Sequence, residues 1–261
     1  MIDFHNHVLP NVDDGPKSIE ESISMIRCAS KQGITDIVQT VHYQHPKMDG
    51  KNVDYSYLKE KVQDLQLEID KQKLNIKIHL SAEVFYLPNL TDLVNEGFFC
   101  IGKSKFILIE FQSLINPLNY KDEIFKVQNM GVTPIIAHPE RYRFIQNNLN
   151  EIGDWINKDY ILQLDAGSLL GSFGKRVQNI SFKIIENYGI HLIGSDAHNN
   201  KKRNFCLLEA YDFLEKKYNA MFISNLKINA DNLLKNKKLQ LVYGEQKNSL
   251  LDKFKSKFQR N

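Results

Sequence analysis

Cysteine is scarce in this sequence and nowhere paired. Cys28, Cys100 and Cys206 are odd in number, far apart and without a Cys-x-x-Cys spacing, which argues against a disulfide framework or a thiolate zinc knuckle and points to a reducing compartment. Thiolate-based phosphate chemistry is excluded too. It needs an arginine closing the loop that the cysteine opens, and Ile34, Phe106 and Asp212 stand at that spacing. A Gly-x-Ser-x-Gly nucleophile elbow and a Walker-type lysine loop are missing. No apolar run approaches the ~18 residues of a membrane span, and Met1 leads straight into a polar segment rather than a signal peptide. The expectation is a cytoplasmic protein without an integral membrane segment.

The 13 glycines and 7 prolines gather into no linker, and no internal repeat divides the 261 residues. One domain is therefore favoured over two. Net charge is +3, but the stretch 235–261 holds seven lysines and one arginine against Glu245 and Asp252, a net of +6 that leaves the body at −3. We read 1–234 as the folded body and 235–261 as a basic tail, a peripheral helix or partly disordered end. Basic residues elsewhere are scattered without interleaved aromatics, so no nucleic-acid partner is expected.

Short apolar runs recur at Met1–Phe4, Ile34–Val41, Ile76–Leu80, Phe106–Ile109, Thr133–Ala137, Tyr160–Leu164 and His191–Ile193. Helical segments separate them. Ser18-Ile-Glu-Glu21 reads as a capping box, Gly33, Gly131 and Gly189 as helix stops, and Asn52–Lys73 and Arg203–Tyr218 as longer helices. Seven βα units predict a mainly parallel α/β sheet closed, or nearly so, into a single-domain barrel.

Ligand-type residues fall at the strand ends. His5 and His7 follow the first strand with Asp14 close behind, His42 ends the second, Glu83 follows the third and Glu110 ends the fourth. His138 follows the fifth, and Asp196 and His198 follow the seventh. Each alone is an ordinary polar residue, but in a parallel barrel all these ends converge on one face. Nine nitrogen and oxygen donors without thiolate suit manganese, iron or zinc, and the number of carboxylates suggests more than one ion. Such ions lower the pKa of bound water, supply a hydroxide nucleophile and neutralise a phosphoryl group. Arg141 and Arg203, three and five residues after His138 and His198, favour a phosphoester. His45 is a further candidate for touching substrate, whereas His79 and His191 sit within or at the start of strands and read as structural.

The motifs His5-x-His7, Val12-Asp-Asp-Gly-Pro-Lys-Ser18, His42, Ala82-Glu83, Leu108-Ile-Glu-Phe111, Ala137-His-x-Glu-Arg-Tyr142 and Ser195-Asp-Ala-His-Asn199 resemble the polymerase-and-histidinol-phosphatase (PHP) superfamily. Within it they are most similar to the bacterial manganese-dependent protein-tyrosine phosphatases of capsule and exopolysaccharide synthesis, from Met1 to about Leu234. The resemblance implies a distorted (β/α)7 TIM-like barrel with a three-ion site, Mn2+ first among candidates and Fe or Zn behind it. His5, His7, Glu110 and Asp196 would hold one ion, and Glu110 would bridge to a second held by His138. Asp14, His42, Glu83 and His198 would complete the set, with Arg141 and Arg203 on the phosphate. The implied substrate is the phosphotyrosine-bearing tail of a bacterial tyrosine kinase. Tyr43 stands where relatives often carry a second histidine, Pro139 replaces an apolar residue, and Asp165-Ala-Gly-Ser168 departs slightly from the family stretch. Two other readings stay open: a small-molecule phosphomonoesterase of the histidinol-phosphatase type, and a non-catalytic metal domain that docks a kinase.

Overall fold

A computed structural model describes residues 1–48, 54–96, 99–101 and 104–245. Seven strands, β1 (Ile2–Asn6), β2 (Asp36–Tyr43), β3 (Lys77–Phe85), β4 (Phe106–Glu110), β5 (Thr133–Ala137), β6 (Ile161–Asp165) and β7 (Leu192–Gly194), pair in sequence order in one parallel sheet. The sheet curls into a nearly closed barrel, as expected. Its seam is made just past the strand ends, where His7 N donates to the Ala197 carbonyl and Asp196 N to the His5 carbonyl, both at 2.8 Å.

Ten α-helices lie between and after the strands among the described residues: α1 (Ile19–Lys31), α2 (Tyr55–Lys71), α3 (Leu90–Glu96), α4 (Tyr120–Asn129), α5 (Arg143–Asn147), α6 (Asn150–Asn157), α7 (Ala166–Leu170), α8 (Lys175–Asn187), α9 (Leu207–Lys217) and α10 (Ala220–Leu234). The Ser18 hydroxyl accepts from Glu21 N and starts α1, and Asp54 does the same for α2 through Tyr57 N. Asn52 and Val53, included in the sequence reading of this second helix, lie outside the described residues. Alternation along the strands fills the barrel. Phe4, Val38, Leu108, Ile135, Ile161 and Leu192 form an apolar floor closed from below by Leu233 and Leu239, and polar side chains occupy the levels above.

Three details differ from the sequence reading. First, β1, β2 and β3 run further than their apolar runs, so His5, His42 and Glu83 are strand residues, with His42 and Glu83 direct cross-strand neighbours. A register shift between Asp3 and Asn6 also disturbs β1. Phe4 joins the apolar floor while His5, the next residue, joins the polar cluster above, a re-aiming of side chains typical of a bulge. Second, the helix read from Arg203 to Tyr218 is α9 and begins at Leu207 rather than Arg203. The Arg203 carbonyl accepts from His198 N and Asn199 N, and the Asn199 side chain accepts from Arg203 N, which commits this backbone to a turn. Third, residues 235–245 pack on the body: Asn236 accepts from Lys105 N, Val242 bridges to Ile190, and Leu239 and Val242 are buried. Residues 246–261 lie outside the described part. None of the described helices is long and apolar enough to cross a membrane.

Candidate metal centre

The barrel delivers the nine sequence-derived candidates to one face. Ligand atoms of eight of them sort into three overlapping groups, each with all its atoms within 4.8 Å of one another: His5, His7, Glu83 and Asp196; His7, Asp14, His42 and His198; and His42, Glu83 and Glu110. The ninth, His138, adjoins them through Glu83. Glu83 is at the centre. Its Oε1 lies 2.9 Å from His138 Nε2 and 3.2 Å from His5 Nε2, and its Oε2 lies 3.2 Å from His42 Nδ1 and 3.4 Å from His7 Nε2. The resemblance gave this shared position to Glu110. Here Glu110 sits at the rim, 3.7 Å from His42 and 3.9 Å from His138. His45 also reaches that rim, 3.9 Å from Glu110. Tyr43, one residue after His42 and so on the other side of the strand, packs edge-on against Phe99 instead.

The imidazoles are aimed from behind. His5 Nδ1 is 2.8 Å from Gln163 Oε1, His7 Nδ1 is 2.8 Å from Asp13 Oδ2, and His198 Nδ1 is 2.8 Å from the Asp196 carbonyl. Each contact turns the ring's Nε2 inward, the arrangement that orients metal ligands elsewhere. Asp13 also accepts from the backbone N–H groups of Gly15 and His42. Gly194 is required at its place, since a Cβ there would stand 2.6 Å from His5 Cβ. His138 and Asp196 hold left-handed backbone at φ of 32° and 48°, strain of about 1–3 kcal/mol each that clusters at functional sites.

Burial and crowding set the protonation. Burial alone depresses the His5 imidazole, but the carboxylates of Glu83 and Asp196 lift it to about 9. His138 is held at about 4 by burial and by the Arg141 charge. Burial, reinforced by Glu83, pushes Glu110 up to about 7. Burial opposes ionisation of Asp13 as well, yet the neighbouring His7 brings it down to about 2.

Two arginines close the outer side. Asp196 turns Oδ1 toward His5, His7 and His198 at 3.4–3.5 Å. Its Oδ2 accepts from Arg141 Nη1 at 2.6 Å and Arg203 Nη2 at 2.7 Å. Arg141 Nη1 also reaches Asp165 Oδ2 at 2.9 Å. Asp165 ends β6, the one strand that the sequence reading left without a site residue. Burial raises it to about 6 against the pull of Arg141. Gln163, Asp165 and Asp13 were thus missed as site residues, although the strand-end position of Asp165 and the doubled acid beside Asp14 were visible signals.

The residues fit divalent metal. His5 Nε2, His7 Nε2, Glu83 Oε2, Glu110 Oε2 and Asp196 Oδ1 are buried without a hydrogen-bond partner, an arrangement costly for the protein alone. Cations shared within these groups would answer them, His5, His7, Glu83 and Asp196 in one group and Glu110 in another. The donors are imidazole nitrogen and carboxylate oxygen throughout, a set suited to manganese, iron or zinc.

Comparison with known proteins finds relatives over nearly the whole chain. The family model for capsular polysaccharide synthesis, CpsB/CapC, matches residues 1–235. CapC of Staphylococcus aureus is 35% identical over 247 residues, covering 93% of this chain and 91% of that protein. The tyrosine-protein phosphatase YwqE of Bacillus subtilis strain 168 is 35% identical over 237 residues, 90% of this chain and 92% of its own. The tyrosine-protein phosphatase CpsB of Streptococcus pneumoniae is 28% identical over 236 residues, 86% of this chain and 96% of its own. A solved structure from work on YwqE of Bacillus subtilis and CpsB of Streptococcus pneumoniae, described as metal-dependent tyrosine phosphatases, superposes with a TM-score of 0.87 at 33% identity. It covers 95% of this chain and 100% of that one.

Proposed function

The chain belongs to the CpsB/CapC family of capsular polysaccharide synthesis and is a metal-dependent tyrosine-protein phosphatase; we propose that it acts in the cytoplasm on the phosphotyrosine-bearing tail of a bacterial tyrosine kinase. The observation that carries the site is the overlap of three donor groups through His7, His42 and Glu83, with two guanidinium groups on the outer oxygen of Asp196. His5, His7, Glu83 and Asp196 would hold one ion, His7, Asp14, His42 and His198 a second, and His42, Glu83 and Glu110, with His138 adjoining, a third. Manganese is the metal we assign. When bound, the ions supply Lewis-acid chemistry, neutralising the phosphoryl oxygens and acidifying the water that attacks phosphorus.

The chain's own groups do the rest. Arg141 and Arg203 present charged N–H donors to the phosphoryl oxygens that point away from the ions. Arg203 Nε is buried and without a partner, so that donor is free for an anion. Asp165 and Asp196 keep both guanidinium groups aimed before substrate arrives. His45, beside Glu110 at the rim, borders the path of the tyrosyl ring. The leaving tyrosinate comes from a phenol of pKa ~10 and needs less protonation than an alkoxide, so the demand on a general acid is small.

Release of phosphate from a phosphotyrosyl peptide tests this reading, with histidinol phosphate as comparator and manganese added after chelation. We expect activity on the peptide to vanish on chelation and return with metal. Arg141→Ala should lower kcat/KM for the peptide by roughly 100-fold, the size expected for a lost charged contact in the transition state. Undiminished turnover in Arg141→Ala, or a strong preference for histidinol phosphate, would refute it.

A further inference from the structure

The loop between α7 and α8 carries an aromatic ring to the two arginines. Phe173 has the Arg141 guanidinium carbon 4.8 Å and the Arg203 guanidinium carbon 5.8 Å from its ring centroid. The loop is built for this reach. Gly171 and Gly174 bracket Ser172-Phe173, both at φ +89°, a left-handed conformation that glycine adopts without the penalty of a side chain. Gly167 clears the way, since a Cβ there would meet Phe173 Cε2 at 3.3 Å. The ring is 37% exposed and walls a cavity of about 330 Å³ that also touches Asp165, Asp196 and Arg203.

Two cations share one carboxylate oxygen here, and Arg203 is anchored more loosely than Arg141. Of the two, only Arg141 has a second carboxylate within hydrogen-bond reach, Asp165, and the Arg203 side chain is 35% exposed. Carboxylates also compete with an incoming phosphate for the same N–H donors, which radiate from the guanidinium edge. An aromatic ring holds the cation by electrostatic attraction to its π-system and sets no carboxylate oxygen in competition for those edge donors. We propose that Phe173 is a positioning residue: it holds Arg141 and Arg203 together in their phosphate-binding pose while leaving their N–H edges to the phosphoryl oxygens. The role rests on the reading that both arginines grip phosphate.

The test uses the full-length, metal-loaded protein, with competitive inhibition by inorganic phosphate measured beside KM and kcat for a phosphotyrosyl peptide. Phe173→Leu keeps apolar bulk and removes the ring, and Phe173→Trp keeps a ring. Without a π-face beside either guanidinium group, Phe173→Leu should raise the phosphate inhibition constant and KM roughly 10-fold, with kcat changed less and metal content unchanged. Phe173→Trp should stay near the parent. In an Arg203→Ala background the effect of Phe173→Leu should shrink, because one of its two partners is gone. Phe173→Met makes the same comparison if the leucine variant folds poorly. Phosphate inhibition within two-fold of the parent in the leucine or methionine variant would overturn the proposal, as would a tryptophan variant as impaired as leucine. Arg141→Ala and Arg203→Ala separate the two levels. If they too leave phosphate inhibition unchanged, the reading of the arginines has failed; if they weaken it and Phe173→Leu does not, only the role of Phe173 has.

Discussion

The two ends of the barrel are made from the same strands and obey opposite rules. At the floor, Phe4, Val38, Leu108, Ile135, Ile161 and Leu192 meet side chain to side chain under Leu233 and Leu239, and burial is favourable at about 25 cal/mol per Å² of apolar surface. His191, at the edge of this region, is kept neutral by burial, and its Nδ1 accepts from Leu162 N. At the mouth, buried imidazoles and carboxylates crowd together, atoms such as His5 Nε2, Glu110 Oε2 and Asp196 Oδ1 lack a hydrogen-bond partner, and two residues hold left-handed backbone. One end supplies stability and the other is tolerated because of it. A polar cluster this dense would not persist on a scaffold whose remaining layers were less well packed.

That contrast can be broken from either side. The largest effect belongs to Asp196→Asn, which removes the charge shared by imidazoles and guanidinium groups. We expect kcat/KM on a phosphotyrosyl peptide to fall at least ~1000-fold, about 4 kcal/mol in the barrier, with a smaller shift in the urea midpoint than floor substitutions give. Leu108→Ala at the floor should do the reverse. It should cost about 2–5 kcal/mol in unfolding free energy, while kcat of the metal-loaded enzyme stays within a few-fold of the parent. A floor variant that lost turnover without losing stability would show that the two ends are coupled rather than divided.

A subtler effect distinguishes the buried histidine of the floor from those of the mouth. Burial lowers His191 to about 4, whereas in the unfolded chain it titrates near ~6.5. Between these values the unfolded chain binds the extra proton. The contribution of His191 to stability is therefore complete above the unfolded pKa and is lost as pH falls toward the folded one. Up to about 3 kcal/mol is at stake. Urea midpoints measured from pH 7.5 to 4 in the parent and in His191→Gln should converge as the pH falls, and parallel curves would contradict this account.

Most of the mouth was legible because it is written in local register. A residue that ends an apolar run in a parallel barrel is delivered to one face whatever its neighbours, so His42, Glu110, His138 and Asp196 could be placed from spacing alone. Other features depend on pairing between distant segments. Gln163 reads as a polar interruption of β6 until His5 is set beside it, 158 residues earlier in the chain. Asp13 is indistinguishable from Asp14 until His7 and the backbone of His42 turn toward it. The bulge in β1 is likewise set by pairing with a distant strand, whereas the turn that displaces Arg203 from its expected helix is local, made by His198 and Asn199. The central place of Glu83 follows from its direct cross-strand partner, His42, which periodicity does not reveal.

The seam between β1 and the segment after β7 has a consequence for the order of events during synthesis. Its two backbone hydrogen bonds join His5 and His7 to Asp196 and Ala197, so ligand-bearing residues from opposite ends of the chain are the stitches that close the ring. A nascent chain lacking the segment after the last strand lacks Asp196 and His198, and with them two of the three donor groups are incomplete, however well its earlier units have collapsed. Loop closure across the whole barrel and assembly of the active centre are then a single event. An emerging fragment therefore keeps its centre incomplete until the ribosome has delivered both partners.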